Sequence, residues 1–585
     1  MPQGRRKMPF SGKAKKEQMK ARKEKRMVGG RKVPFLQRAG GDSDAEESAG
    51  SSIQKLNYQP IKGRGSRPNR YALQFFKESN EEIKLKKEQA RHSLKPVKET
   101  DLEIDGSDFF EEKLEFPKRP PWNFNLTKEE LDGQENRYFH EYLKNIEDNY
   151  DVKQLSYFEL NLETWRQLWR VLEMSDIILF IVDIRYAGAM FPPSLYKYVT
   201  QDLGKDFILL LNKIDLAPAP LVVAWKHYFE EKYPLLKICM FTSLPGYNLI
   251  GQKLDKGGLQ VRRRKGRIRM AAEGTQKLVE ACDCLVGDKV DLTSWKNKIK
   301  EEIQECFADE AVEIKELLHT KNETEYYHYE KYQGGVLTIG CIGQPNVGKS
   351  SLMNAIMGKK VVSVSKTPGH TKHFQTIFLT NNVRLCDCPG LVFPSKVPKP
   401  LQVLMGSFPI AQLREPYTTI RYLAERLDMP MLLRIQHPDN DETWSAMDIC
   451  DGWAKKRGYL TAKAARLDSY RAANSLLRMA LDGKICLCLR PPGYTKEKTF
   501  WLHHPDIETV KWIQALTDGD EEAHLEEALG FDSDHSSNDE GVDEEAHDGE
   551  EGSNEDSIAN DDDGEDSVDD MAVVANKFAA LGDCN

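Results

Sequence analysis

Five mostly apolar runs in this chain stop abruptly at polar residues. They are Ile177–Val182 before Asp183-Ile184-Arg185, Phe207–Leu211 before Asn212-Lys213-Ile214-Asp215, Lys237–Met240 before Phe241-Thr242-Ser243, Val336–Ile342 before a glycine-rich loop, and Val383–Cys386 before Asp387. Short runs that are apolar on consecutive positions and separated by helical segments predict strands of a mostly parallel sheet, covered on both faces. Between and beyond them the apolar spacing is helical. Thr127, three residues before Glu130, predicts a capping box that opens a helix carrying Leu131, Tyr138, Tyr142 and Leu143. Leu162–Met174 places Trp165, Leu168, Trp169 and Leu172 on one face, expected to be core. Further helices are expected around Leu278, Cys282 and Leu285, ended by Gly287, and around Trp295, Ile299 and Ile303. Two more are expected at Thr418–Leu427 and Ala464–Asp482, the latter followed by Lys484–Leu489 and a turn at Pro491-Pro492-Gly493.

Composition divides the chain. Residues 1–38 hold fourteen Lys/Arg against two Glu, whereas 518–570 hold twenty-five Asp/Glu and no Lys or Arg. The overall charge of −9 therefore describes a tail, and the rest of the chain outside the two ends is close to +4. The basic arm is expected to bind RNA or serve as a nuclear or nucleolar address, and the acidic run cannot bury a core and should stay disordered. Ser43 and Ser537 stand among acidic residues as candidate phosphorylation sites. The basic N-terminus has no apolar segment of the secretory kind, and no uninterrupted apolar stretch reaches about 18 residues, so a membrane span is not expected. The eleven Cys are scattered. With no secretory segment before them, they point to a reducing compartment, and Cys282-x-Cys284 and Cys386-x-Cys388, which lack zinc spacing, are expected to be core or surface thiols.

The candidate chemistry stands at the ends of the apolar runs. Gly343-Gln344-Pro345-Asn346-Val347-Gly348-Lys349-Ser350 fits G-x-x-x-x-G-K-[ST] between a strand and a helix-like Ser351–Met357. In that context backbone N–H groups close around phosphates, Lys349 reaches the β/γ-phosphates and Ser350 ligates Mg²⁺. The phosphate-contacting set is Gly343, Asn346, Val347, Gly348, Lys349, Ser350 and Ser351. Asn212-Lys213-x-Asp215 reads guanine: the Asp215 carboxylate accepts from the ring N1–H and 2-amino group, Lys213 packs on the base and Asn212 ties the loop to the phosphate loop. Thr242-Ser243 would support the base through a main-chain N–H, although Leu244 stands where such enzymes carry Ala. Ser365–Thr371 is the expected first switch, with the Thr371 hydroxyl on Mg²⁺. Asp387-Cys388-Pro389-Gly390 is the second, with Asp387 toward Mg²⁺ and the Gly390 N–H toward the γ-phosphate. Leu391 follows, where Ras-like enzymes carry a water-orienting Gln.

The base motif precedes the phosphate loop, whereas ordinary GTPases run the other way. Base motif, Thr-Ser, phosphate loop, Thr-Pro-Gly-x-Thr and D-x-P-G in this order resemble the circularly permuted GTPases of the YlqF/YawG family. Within it, Trp165–Glu173, Pro409–Glu415 and Arg457–Thr461 look most like the branch that includes the large-subunit GTPases. One departure is visible: Asp183-Ile184-Arg185-Tyr186-Ala187 stands where relatives show Asp-Ala-Arg-x-Pro.

The resemblance implies an α/β, circularly permuted P-loop GTPase domain over 120–394, with a helical insertion at about 245–333 bearing the basic strip Arg262–Arg269. A smaller, mainly helical domain is expected over 395–517, with disordered tails at 1–119 and 518–585. It also implies GTP/GDP and Mg²⁺ as ligands. Asn346 resembles the phosphate-loop Asn that ligates K⁺ in cation-dependent relatives. Catalytic roles then fall to Asn346, Lys349, Thr371 and Gly390, and metal ligation to Ser350, Thr371 and Asp387. The function implied is a slow, partner-stimulated GTPase of ribosome assembly in the nucleus or nucleolus. It would be monomeric and engage pre-ribosomal particles, RNA, ribosomal proteins or import receptors. A GTP-gated shuttling or signalling protein is the alternative. A nucleotide-dead scaffold is not expected, because Asp215, Lys349, Ser350, Thr371 and Asp387 are all present.

Overall fold

The computed structural model describes residues 55–56, 75–76, 78–151, 154–242, 259–305, 320–321, 330–358, 361–362, 375–461 and 465–514; the side chains of 55–56, 76, 259–272, 302–305 and 320–321 lie outside that description. Its sheet is built from the five predicted runs and one strand that was not predicted, β5: β1 Ile177–Asp183, β2 Asp206–Asn212, β3 Lys237–Met240, β4 Leu337–Gly343, β5 Gln375–Thr380 and β6 Val383–Asp387. The order is β3-β2-β1-β4-β6-β5, and a two-residue strand, Thr320–Lys321, completes seven. All pairs among β3, β2, β1, β4 and β6 are parallel, and β5 pairs antiparallel to β6. Every residue of β1 and β4 is buried, which is why these strands read as unbroken apolar runs. Parallel strands in register put their last residues on one edge. Asp183 pairs with Asn212, Ile181 with Gly343, and Cys341 with Asp387, so three motifs far apart in sequence end side by side.

The helices begin with α1 Asn80–Gln89, α2 Lys128–Asn149, α3 Leu162–Met174, α4 Ala219–Lys232, α5 Leu259–Val286, α6 Thr293–Glu305 and α7 Lys349–Met357. The capping box of α2 is formed: the Glu130 N–H donates to the Thr127 hydroxyl, and the Thr127 N–H to the Glu130 carboxylate at 2.9 Å. The apolar face of α3 is core as expected, and Trp165 and Trp169 spend their indole N–H groups on the Glu159 and Pro117 carbonyls.

Two boundaries differ from the sequence expectation. Order was expected near Pro120, yet α1 is capped by Ser79 and Glu82, and 94–116 pack against distant segments. The Leu94 N–H donates to the Trp444 carbonyl, Val97 to Glu425 and Ile104 to Arg490, while Leu102, Leu114 and Phe116 are buried. Scattered single anchors carry no periodicity, so local pattern does not announce them. The helical insertion also fails to stand apart. Leu278, Val279 and Cys282 of α5 are buried in the sheet's own core, Gly274 lies against the Phe241 ring beside β3, and the basic strip Arg262–Arg269 falls on α5 where the side chains lie outside the description.

Beyond β6 come α8 Lys399–Leu404, α9 Tyr417–Ala424, α10 Ala446–Arg457, α11 Ser469–Leu481 and α12 Ile507–Gln514. This region is helical as predicted, but it shares one continuous apolar core with the sheet. Trp225 of α4 donates its indole N–H to the Leu489 carbonyl, and α12 packs on α4. Among the described residues no helix is long and apolar enough to cross a membrane.

Candidate nucleotide site

The loop leaving β4 turns through two left-handed residues, Asn346 at φ 60° and Gly348 at φ 99°, before α7 starts at Lys349. Such a turn aims successive backbone N–H groups into one concavity at a helix N-terminus, where an anion is favoured. Glycine is required at Gly343 for a different reason: a Cβ there would lie 2.4 Å from the Ile181 carbonyl oxygen. Lys349 is buried, and its ammonium donates to the Gly343 and Gln344 carbonyls at 3.1 and 2.7 Å. Desolvation holds its pKa below the usual lysine value, and the Asp387 charge opposes that shift. The Gln344 side chain accepts from the Ser407 hydroxyl at 2.6 Å, anchoring the loop to the C-terminal helices.

The base motif meets this loop directly. Asn212 donates its amide to the Val347 carbonyl at 2.7 Å, and Lys213, itself left-handed at φ 60°, donates to the Asn346 carbonyl at 2.6 Å. Asn212 Oδ1 is buried without a hydrogen-bond partner among the described residues. Asp215 accepts from the Thr242 hydroxyl at 2.5 Å, a side-chain contact in addition to the main-chain support of the base expected from the sequence.

Asp387 lies fully buried at the end of β6, with the Ser350 hydroxyl 3.5 Å from one carboxylate oxygen. The other oxygen, Oδ1, is buried without a partner among the described residues. Desolvation pushes this carboxyl up to about 6 despite the nearby Lys349 charge. A buried orphan carboxylate oxygen beside a hydroxyl is a hard-oxygen donor set that fits Mg²⁺. Gly390 packs on the phosphate loop, where a Cβ would meet the Pro345 backbone at 2.8 Å. Leu391 is fully buried and donates its N–H to the Gly343 carbonyl at 3.3 Å.

Of the predicted residues, Asn212, Lys213, Asp215, Thr242, Gly343, Asn346, Val347, Gly348, Lys349, Ser350, Ser351, Asp387 and Gly390 stand at or beside the strand ends that carry these contacts. Ser243 and Thr371, with the whole of Thr367–Thr371, lie outside the described residues, as do the basic arm, the acidic tail, Ser43 and Ser537. Asn346 carries a contact that sequence reasoning did not anticipate: its amide donates to the Gly406 carbonyl at 2.9 Å. Two further residues were missed. Gln514 of α12 donates to the Ile214 and Ala217 carbonyls at 2.6 and 2.8 Å, clasping the turn that carries Asp215. Arg185 forms a buried pair with Asp183, whose carboxylate also accepts from Lys213 at 2.8 Å. The abrupt end of the β1 run at Asp183-Ile184-Arg185 was the available signal for this pair, while nothing in the sequence pointed to Gln514.

A mostly parallel sheet with a phosphate loop after β4 and a base motif on the earlier strand β2 defines a circularly permuted P-loop GTPase fold. Residues 338–420 match the 50S ribosome-binding GTPase family. The chain is 47% identical over 552 residues to guanine nucleotide-binding protein-like 1 of Mus musculus, covering 88% of this chain and 91% of that protein. It is 34% identical over 399 residues to Large subunit GTPase 1 of Saccharomyces cerevisiae, covering 66% and 58% respectively. A solved structure of YlqF with GDP bound aligns at 17% identity and a TM-score of 0.31, over 56% of this chain and 99% of that one. The chain belongs to the guanine nucleotide-binding protein-like 1 family.

Proposed function

We propose that this protein binds GTP with Mg²⁺, hydrolyses it slowly, and acts as a nucleotide-controlled switch in assembly of the large ribosomal subunit, in the nucleus or nucleolus. The observation that carries the reading is the shared strand edge. Asn212 and Lys213 reach the phosphate-loop carbonyls of Val347 and Asn346 directly, and Ser350 faces Asp387 across the same loop. The likeness to a protein named Large subunit GTPase 1 supports the ribosomal part.

In this reading Asp215 receives the two guanine ring donors, Lys213 lies on the base, and Thr242 orients the Asp215 carboxylate, with the Ser243 N–H beside it. The N–H groups of Gly343 and of Asn346, Val347, Gly348, Lys349, Ser350 and Ser351 surround the phosphates, and the Lys349 ammonium turns from its loop carbonyls to the β/γ-phosphates. Ser350, Asp387 and Thr371 would hold Mg²⁺, which offsets phosphate charge during transfer. The Gly390 N–H senses the γ-phosphate. With Leu391 buried, no side chain at that position orients the attacking water, so unaided turnover is slow, about 10⁻⁴ to 10⁻³ s⁻¹ as for intrinsic Ras-type hydrolysis. The Asn346 amide spends its N–H on Gly406, which leaves Oδ1 as the acceptor that could hold K⁺. Turnover is then faster in K⁺ than in Na⁺ at equal ionic strength, and Asn346→Ala removes the difference. Equal rates in the two salts would assign the missing charge to a partner such as ribosomal RNA or an assembly protein.

The decisive experiment is sedimentation of the native protein from a nuclear extract on a sucrose gradient. Co-migration with large-subunit precursors, lost for Lys349→Ala, is the expected result. Confinement to light fractions with intact GTP binding would leave a GTP-gated shuttling or signalling protein in its place.

A further inference from the structure

Asp183 ends β1 directly beside Asn212 in the sheet register, fully buried, and its carboxylate makes contacts that the base and phosphate motifs do not account for. Oδ1 accepts from the Arg185 backbone N–H at 3.1 Å and from Arg185 Nε at 3.0 Å; Oδ2 accepts from Arg185 Nη2 and from Lys213 Nζ, both at 2.8 Å. Lys213 passes its remaining reach to the Asn346 carbonyl of the phosphate loop. Arg185, also fully buried, is fixed from the other side. Its Nη1 donates to the Ala480 carbonyl in the last turn of α11, and its own carbonyl accepts from the Leu489 N–H. Burial alone would raise the Asp183 pKa, but the Arg185 and Lys213 charges outweigh it and hold the carboxyl well below its usual range. Among the described residues the Arg185 guanidinium donates to Asp183 and to the Ala480 carbonyl and to nothing else.

The geometry points to Asp183 and Arg185 as positioning residues for Lys213, holding its ammonium against the phosphate loop so that its stem lies along the base and slows loss of the bound guanine nucleotide. The physical case rests on rigidity. A free lysine side chain has many rotamers to lose on binding, and a carboxylate locked bidentately by a buried guanidinium restricts them before nucleotide arrives. The one carboxylate also keeps the local charge at a net of one positive, where two cations alone would repel. Because Arg185 is seated on the end of α11, the same chain of contacts gives the C-terminal region a grip on the base-reading lysine.

This inference rests on the assignment of Asn212–Asp215 as the base-reading loop, and the experiment separates the two. Dissociation of mant-GDP from the full chain would be followed by stopped flow for wild type, Asp183→Asn, Lys213→Met and the double variant. If Asp183 acts through Lys213, Asp183→Asn accelerates release on the order of tenfold, the worth of a charge-assisted hydrogen bond. The double variant then releases no faster than Lys213→Met alone, a non-additivity that a general structural role does not produce. Multiplying effects in the double variant, or an unchanged rate for Asp183→Asn while Lys213→Met is fast, overturns the positioning role and leaves the base assignment standing. An unchanged rate for Lys213→Met overturns both. Should Asp183→Asn fail to fold because Arg185 is left unpaired, Asp183→Asn/Arg185→Gln removes both buried charges and is measured in its place, with the same outcomes.

Discussion

Leu391 and Asp215 set the chemistry of the site at the scale of single residues. Leu391 stands in the chain where a water-orienting Gln would be, but its side chain is fully buried and its N–H is spent on the Gly343 carbonyl. Restoring the Gln side chain would therefore bury an amide in the core without bringing it to the γ-phosphate. Leu391→Gln is expected to leave single-turnover hydrolysis unchanged and to lower stability in urea by about 1–3 kcal/mol, the cost of an unsatisfied buried polar group. Asp215 is different, because its carboxylate is held by Thr242 at the mouth of the base loop. A carboxylate that meets two ring donors rejects a base lacking them. Asp215→Asn should shift preference from GTP to xanthosine triphosphate in competition binding; equal wild-type affinity for ATP and GTP would contradict the base assignment.

The elements that hold these residues are tied by contacts across the chain. The turn Ile214–Leu216 that presents Asp215 is clasped by Gln514 from the last turn of α12, through the Ala217 carbonyl and through the Ile214 carbonyl, which also accepts from the Ala217 N–H within the turn. Gln514→Leu keeps the side-chain volume and removes both hydrogen bonds. It is expected to speed GDP release several-fold while changing the thermal midpoint by only a few degrees, on the scale of about 1 kcal/mol per hydrogen bond. An unchanged release rate would show that the turn is held by its own strand, β2, alone.

The permuted order gives the whole molecule its distinctive wiring. Among the described residues after Gly390 no strand returns to the sheet; the chain runs through Leu391–Phe393, wedged in the core, with the Phe393 ring against Phe116, Trp165 and Phe180. Asn346 on Gly406, Gln344 on Ser407, and Arg185 on Ala480 add contacts from the phosphate loop and base side to the helices beyond 395. A change at the γ-phosphate therefore meets a region that shares its core, and packed cores respond as units. Hydrogen exchange in the GTP-analogue and GDP states should differ within 395–514, most of all at Gly406–Ser407 and the end of α11. Identical exchange there would confine the switch to the sheet.

How much of this was legible beforehand follows from how far apart the partners lie. Strand ends were read correctly because each is a local pattern, an apolar run that stops at polar residues; the phosphate loop, base motif and Asp387 are legible as an expected site for the same reason, being a few residues whose chemistry needs that spacing. Parallel register then places them together with no further information, since strands in one sheet end at one edge. The Arg185–Ala480 bond joins residues 295 positions apart, and Gln514 reaches Ile214 across 300. Such pairs leave no period in the sequence, so neither the clasp on the base loop nor the packing of 78–119 was visible there. The chain by itself determined which chemistry the strand ends carry, because side-chain type and spacing suffice for that. The tertiary structure alone decided what holds those side chains in place, because a buried ion pair or a capped carbonyl exists only once distant segments share the same low-dielectric core.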